Sequence, residues 1–282
     1  MLVIVLGSNG MLGSYIYAYL SKFYKTITID RIIMDALYIT KEEIQKILKK
    51  CITENSKESE KMDNILVINC IGIIPQRNSS IENNQCNRKY IRVNTLFPHL
   101  LADCCEVLGC KMVHVSTDCV YTGNQGNYIE DDEHDETNIY GVSKSLGEPQ
   151  NCCVIRTSII GEEQQNKKSL LEWIRSKNGK EINGFINHHW NGITCLQLAK
   201  IIQYMVQNNI FWDGVRHIHS PNSLTKYELV KIIIQVYNLD ITVNVYESNT
   251  INKTLASKYV PFINIPNIYE QIVDMYNFSI TK

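Results

Sequence analysis

Leu2-Val3-Ile4-Val5-Leu6-Gly7-Ser8-Asn9-Gly10-Met11-Leu12-Gly13 opens the chain and decides its fold. A short apolar run without polar alternation suits a strand buried on both faces. The run stops at Gly7, and a helical pattern continues from Met11 to about Phe23. Glycines at 7, 10 and 13 spell G-x-x-G-x-x-G across the junction. Such glycines permit a tight turn and bring the N–H groups of a helix N-terminus close to a pyrophosphate. A glycine motif alone is weak evidence, because turns are glycine-rich for conformational reasons. Its place between a buried strand and a helix predicts a dinucleotide site built on Gly7, Asn9, Gly10, Met11, Leu12 and Gly13.

A second apolar run, Thr26 to Ile29, ends at Asp30, where a carboxylate would accept a bond from a ribose 2′-hydroxyl. Arg31 beside it suits a 2′-phosphate instead. Bidentate pairing of guanidinium with phosphate favours NADPH, with NADH as the alternative and Asp30 left to cap the next segment. Further strands are expected at 65–72, 110–117 and 152–158, with helices over 84–108 and 138–148 between them. This alternation implies an α/β fold with a Rossmann-type doubly wound parallel sheet. After residue 156 the rhythm changes to a helix at 168–176, a loop over 187–194, a helix at 194–207, a strand near 215–219 and a helix at 224–237. Residues 1–156 thus read as the dinucleotide-binding domain. Residues 157–282 read mainly as a smaller C-terminal α/β substrate lobe, from which the strand near 215–219 returns to the first domain. Polar stretches at 53–64 and 122–138 read as loops.

Composition narrows the function. Lys and Arg number 28 against 29 Asp and Glu, so no broad basic face is expected for nucleic acid or a membrane surface. No apolar run approaches the roughly 18 residues needed to span a bilayer, and the N-terminus lacks a basic leader, which points to the cytoplasm. Ten cysteines include the adjacent pairs Cys104/Cys105 and Cys152/Cys153 and lie largely in apolar runs, which reads as buried thiols. No spacing matches a zinc site, so no metal is expected.

Ser116-Thr117-Asp118-Cys119-Val120-Tyr121 follows the fourth strand, and Tyr140-Gly141-Val142-Ser143-Lys144 begins 23 residues beyond Thr117. Tyr140 and Lys144, at i and i+4, share a helix face. An ammonium there would lower the phenol pKa toward a useful acid/base range while the Thr117 hydroxyl polarises a carbonyl. Arg156, Gln76 and Arg77 follow strands and either meet a substrate diphosphate or pair within the protein.

Together the glycine turn, STDCVY, YGVSK and the following LGE resemble the extended short-chain dehydrogenase/reductases, specifically the dTDP-4-dehydrorhamnose reductase branch. The resemblance covers most of the chain. It implies that Thr117, Tyr140 and Lys144 are the catalytic hydroxyl, proton donor and lysine. It implies that Asn94 sits on a helix supporting the cofactor site, and that Cys70, Ile71 and Gly72 form the loop over the adenosine side. It places Asp118, Trp190 and Asn191 beside the substrate, a UDP- or dTDP-linked 4-keto-6-deoxyhexose reduced at C4 by NADPH, and it allows a homodimer. Dehydratases of the superfamily carry a glutamate where this chain has Cys119. Relatives similar to bifunctional UDP-rhamnose synthase use a cysteine there with a downstream base to epimerise C3 and C5 before reduction. Lys168 is the nominated partner, with Lys167 and Lys180 as alternatives. The product would be UDP- or dTDP-L-rhamnose or a related 6-deoxy sugar. A plain 4-reductase, and a non-catalytic NADP-binding regulatory subunit of the kind this branch also contains, remain the alternatives.

Overall fold

In the computed structural model, residues 1–55, 64–75, 84–165 and 167–280 are described. Gln76 and Arg77 lie outside the described residues. The first half runs β1 (Leu2–Leu6), α1 (Met11–Leu20), β2 (Lys25–Ile29), α2 (Lys41–Asn55), β3 (Ile65–Asn69), α3 (Asn84–Tyr90), α4 (Phe97–Leu108), β4 (Lys111–Thr117), α5 (Ile139–Ser145) and β5 (Cys153–Thr157). The remainder adds β6 (Ile159–Ile160), α6 (Leu170–Arg175), β7 (Lys180–Phe185), β8 (His188–Trp190), β9 (Ile193–Thr194), α7 (Cys195–Gln207), β10 (Gly214–His217), β11 (Leu224–Thr225), α8 (Lys226–Tyr237), β12 (Ile241–Tyr246), β13 (Ile251–Asn252) and α9 (Ile268–Phe278).

Hydrogen bonding orders the main sheet β10-β5-β4-β3-β1-β2. Every pair in it is parallel. All residues of β1, β3 and β5 are buried, which is why these segments read as unbroken apolar runs. One core cluster joins the sheet to α1, α7, α8 and α9, and the other fills the space beneath α2 and α4. This is the doubly wound parallel sheet expected from the alternation. β1 lies between β2 and β3, so the loops leaving β1 and β3 diverge and open a crevice at the carboxyl ends of the strands.

Two local readings differ from the structure. The expected single helix over 84–108 is helical but wound as a π-turn over Ile91–Leu96, the segment that holds Asn94. The segment 187–194 is not a loop: β8 pairs with β11 and β13, and β9 pairs with β6. Those partners lie far along the chain, so no local period marks the strands. β10 does return to the main sheet, and α7 packs on α1, so the chain after residue 156 serves both lobes. Among the described residues no helix is long and apolar enough to cross a membrane. The nine cysteines whose side chains are described are all free thiols.

Candidate active site

A cleft with a cavity volume of about 760 Å³ runs along the carboxyl ends of the strands and reaches the second lobe. At one end lies the glycine turn. Gly10 caps α1 with no side-chain bond, and the first turn of α1 carries no acidic residue. Gly10, Met11 and Leu12 line the cleft, so first-turn N–H groups can meet an anion there. A Cβ on Gly13 would stand 2.2 Å from the Gly7 carbonyl oxygen, so only glycine lets α1 lie this close to the turn. Cys70, Ile71 and Gly72, after β3, form the opposite wall. A glycine turn that runs straight into a helix end without a side-chain cap, at the strand crevice, fits the pyrophosphate of a dinucleotide.

Asn94 does not line this cleft. Its Oδ1 accepts from Ile73 N at 2.8 Å, and its Nδ2 donates to the Ile73 carbonyl at 3.0 Å and to Ser143 Oγ at 3.1 Å. It therefore ties the loop after β3 to α5, positioning the site rather than touching a ligand. Asn9 is exposed at the tip of the turn. Asp30 accepts from the N–H groups of Ile32 and Ile33 at 2.9 and 3.1 Å, the capping role considered for it. Arg31 is exposed and pairs with Asp35 at 3.0 Å. A surface pair of this kind is worth little.

Midway along the cleft stand Thr117, Cys119, Tyr140 and Lys144. Asn138 caps α5 by accepting from Gly141 N at 2.9 Å, which starts the helix one residue before Ile139 turns in. At Gly141 a Cβ would meet the Cys119 carbonyl oxygen at 2.5 Å, so glycine allows α5 to seat Tyr140 beside the strand end that carries Thr117 and Cys119. The Thr117 hydroxyl lies near the Tyr140 phenol and favours its ionised form. The Tyr90 ring meets Tyr140 edge-on at 6.4 Å. Lys144 Nζ donates to the Val115 carbonyl at 2.9 Å.

The electrostatics correct the expected lowering of the phenol pKa. Burial drives the Tyr140 phenol above its ordinary value, reinforced by nearby Cys119 and opposed by the Thr117 hydroxyl. Lys144 itself is pushed down to about 8 by burial, against the opposing carboxylate of Glu148. Desolvation of both groups outweighs the charge effect that spacing alone suggested. Tyr140 therefore holds its proton, which suits it to donate. Cys119 is likewise pushed up to about 12 by burial and by Asp118, whose Oδ1 lies 3.6 Å from the thiol. Asp118 is buried and raised by desolvation, with Lys226 and Lys253 opposing.

The cleft is closed on its far side by Trp190, Leu229, Glu163, Lys168, Lys226 and Lys253. Trp190 Nε1 donates to Ser158 Oγ at 2.9 Å, which fixes the ring at the wall. Lys168 is exposed, and its N–H donates to Glu163 Oε2 at 2.5 Å. Asn191 is buried away from the cleft, where its amide clamps the Leu255 backbone through bonds of 2.7 and 2.9 Å. Arg156, 2 % exposed, pairs within the protein. Its guanidinium grips Glu148 at 3.0 and 2.6 Å and donates to Tyr121 Oη and His217 Nε2 at 2.7 Å each. Internal pairing wins because β5 is covered on both faces. Sequence reasoning missed Lys226 and Lys253, which lie far along the chain from the catalytic motif.

A family profile described as the RmlD substrate binding domain matches residues 1–258. The chain belongs to the RmlD substrate binding domain family. Solved structures share the fold of this RmlD-type chain. dTDP-4-dehydrorhamnose reductase from Bacillus anthracis str. Ames, in complex with NADP, superposes with a TM-score of 0.77 at 18 % identity, covering 98 % of both chains. The corresponding reductase from Yersinia enterocolitica gives 0.72 at 16 % identity over 98 % of this chain and 99 % of that one. A GDP-6-OMe-4-keto-L-xylo-heptose reductase from C. jejuni gives 0.73 at 12 % identity, with 98 % and 97 % covered. Among curated proteins, methionine adenosyltransferase 2 subunit beta of Danio rerio is 26 % identical over 148 residues, 48 % of the RmlD-type chain and 46 % of that protein. That match therefore spans about half the length of the curated relative.

Proposed function

We propose that this protein reduces a keto group on a nucleotide-linked sugar with a nicotinamide dinucleotide. The observation that carries the reading is the meeting of Thr117, Tyr140 and Lys144 halfway along one cleft that starts at the uncapped α1 N-terminus. When bound, the reduced dinucleotide supplies a hydride. Thr117 and the Tyr140 phenol hold the ketone oxygen, and Tyr140 gives that oxygen its proton. Asn94, bonded to Ser143, keeps α5 and the loop after β3 in register, and Lys144 ties α5 to the end of β4 with its ammonium in the cleft. Purified protein incubated with NADPH and UDP- or dTDP-4-keto-6-deoxyglucose tests the reading. Oxidation of NADPH is expected, and none with either substrate sinks it.

The finer reading takes a 4-keto-6-deoxyhexose at C4, with UDP or dTDP as carrier and L-rhamnose or a related 6-deoxy sugar as product. NADPH is preferred through Arg31. Arg31→Ala is expected to weaken NADPH binding roughly tenfold or more, from the loss of a charge-assisted bond, and to leave NADH untouched. Fluorescence titration with both dinucleotides checks this, and an equal loss on both refutes it.

Epimerisation at C3 and C5 is assigned to Cys119, with Lys168 as the basic partner. The raised thiol stands protonated, so Cys119 is the proton donor of the pair. Cys119→Ala is expected to cut solvent deuterium uptake at C3 and C5 at least a hundredfold while reduction of pre-epimerised substrate stays within about threefold. Deuterium uptake unchanged in the variant removes the epimerase assignment.

The likeness to a protein named as a subunit favours a second reading, a non-catalytic dinucleotide-binding subunit. It predicts tight NADPH binding without NADPH oxidation on any keto-sugar nucleotide.

A further inference from the structure

Lys226 begins α8 directly after the cap Thr225, in a capping box closed by Glu228. A cation at a helix N-terminus opposes the macrodipole, so its place there is electrostatically unfavourable. Its side chain also turns inward instead of toward solvent. It lines the cleft beside Leu229, and its ammonium lies over the Trp190 indole, 5.1 Å from the ring centroid. The Asp118 carboxylate and the Cys119 thiol are the groups it faces, and burial lowers its pKa.

The other cleft lysines differ. Lys144 donates to the Val115 carbonyl, and Lys253 pairs with Glu136 at 3.3 Å. Among the described residues no hydrogen bond or ion pair engages the Lys226 ammonium. Asp118 stands opposite, held by Thr117 Oγ1 at 3.2 Å. An ammonium and a carboxylate facing each other beside an indole, without bonding each other, offer one donor, one acceptor and one apolar face. Two adjacent oxygens on a hexose ring supply the matching set.

We propose that Lys226 and Asp118 together read two neighbouring oxygen substituents of the hexose, the ammonium donating to one and the carboxylate accepting from the other, while Trp190 carries the ring face. Lys226 is thereby a specificity-determining residue of the substrate lobe. The inference rests on the sugar-nucleotide reading above.

Calorimetric titration of the full chain, saturated with NADPH, tests it with dTDP, UDP, dTDP-glucose and UDP-glucose. Lys226→Met is expected to weaken the hexose nucleotide at least tenfold and to leave the bare nucleotide within twofold. Lys226→Arg, which keeps the donor, restores binding to within about threefold of wild type. NADPH affinity stays unchanged in both variants and the thermal midpoint falls in neither, whereas loss of a merely structural lysine would lower it. Equal weakening of nucleotide and hexose nucleotide, or no weakening of either, overturns the inference and leaves the sugar-nucleotide reading standing. Wild-type protein that binds NADPH but none of the four ligands overturns that reading and this inference with it.

Discussion

Tyr140→Phe is expected to lower turnover of a keto-sugar nucleotide by about 10²–10⁴-fold while the NADPH dissociation constant changes less than twofold. The phenol keeps its proton through desolvation, with the Thr117 hydroxyl opposing. Removing one oxygen deletes the proton donor but leaves the ring against Tyr90 and the helix cap at Asn138 in place. Steady-state NADPH oxidation beside a binding titration checks it, and turnover within tenfold of wild type excludes Tyr140 as the donor. Lys144 adds a pH signature. Its ammonium ionises near 8, so affinity for the anionic dinucleotide is expected to fall as pH rises through that value.

Arg156→Met is expected to destabilise the protein by about 3–5 kcal/mol, because it strands the Glu148 carboxylate in the interior. At this chain length that lowers the thermal midpoint by roughly 10 °C. Glu148 and Arg156 are 5 % and 2 % exposed at their side chains, so solvent does not screen the loss. Ser116 donates to Glu148 at 2.5 Å, and Tyr121 and His217 accept from Arg156, so one network joins β4, β5 and β10 behind the catalytic motif. The double variant Glu148→Met/Arg156→Met should recover much of the stability, since it removes both charges. A double variant as unstable as the single one would show that packing, not the stranded charge, sets the cost.

His217 makes the same network acid-sensitive. Its Nε2 accepts from Arg156, so Nδ1 carries the proton and donates to the Ala256 carbonyl at 2.7 Å. Burial and the Arg156 charge push its pKa down to about 4. A histidine lowered in the folded state resists a proton that the unfolded chain accepts below about 6.5. Stability is therefore full above about 6.5 and falls as pH drops toward 4, by about 3 kcal/mol in all. His217→Gln should flatten that limb in denaturation curves measured between pH 7 and pH 4.

The doubly wound sheet was legible because its signals are local. β1, β3 and β5 lie buried on both faces, so their residues read as apolar runs, and each helix between them carries its own period. The glycine turn was legible for the same reason: the constraint acts between Gly13 and Gly7, a few residues apart. Thr117, Tyr140 and Lys144 were nominated from spacing, and the structure gathers them on one wall.

The charges needed the tertiary structure. Spacing put an ammonium one helical turn from a phenol and predicted a lowered pKa. The desolvation that raises it instead depends on every segment packed around Tyr140. Arg156 reads identically as a diphosphate ligand or an internal partner until β10 is laid beside β5 and brings His217 to it. Asn191 meets Leu255 only across a fold that joins remote segments. Lys226 shows the division most sharply. Its capping box, Thr225 to Glu228, marks a helix start in four residues, and nothing nearby says where that helix points. The packing of α8 against the second lobe carries its first side chain over Trp190 and toward Asp118. The sequence by itself determined the elements and the local chemistry of the turn and of the YxxxK helix. Burial and long-range contact decided which charges face the cleft and in what protonation state, because desolvation is a property of the assembled molecule and is written in no single segment.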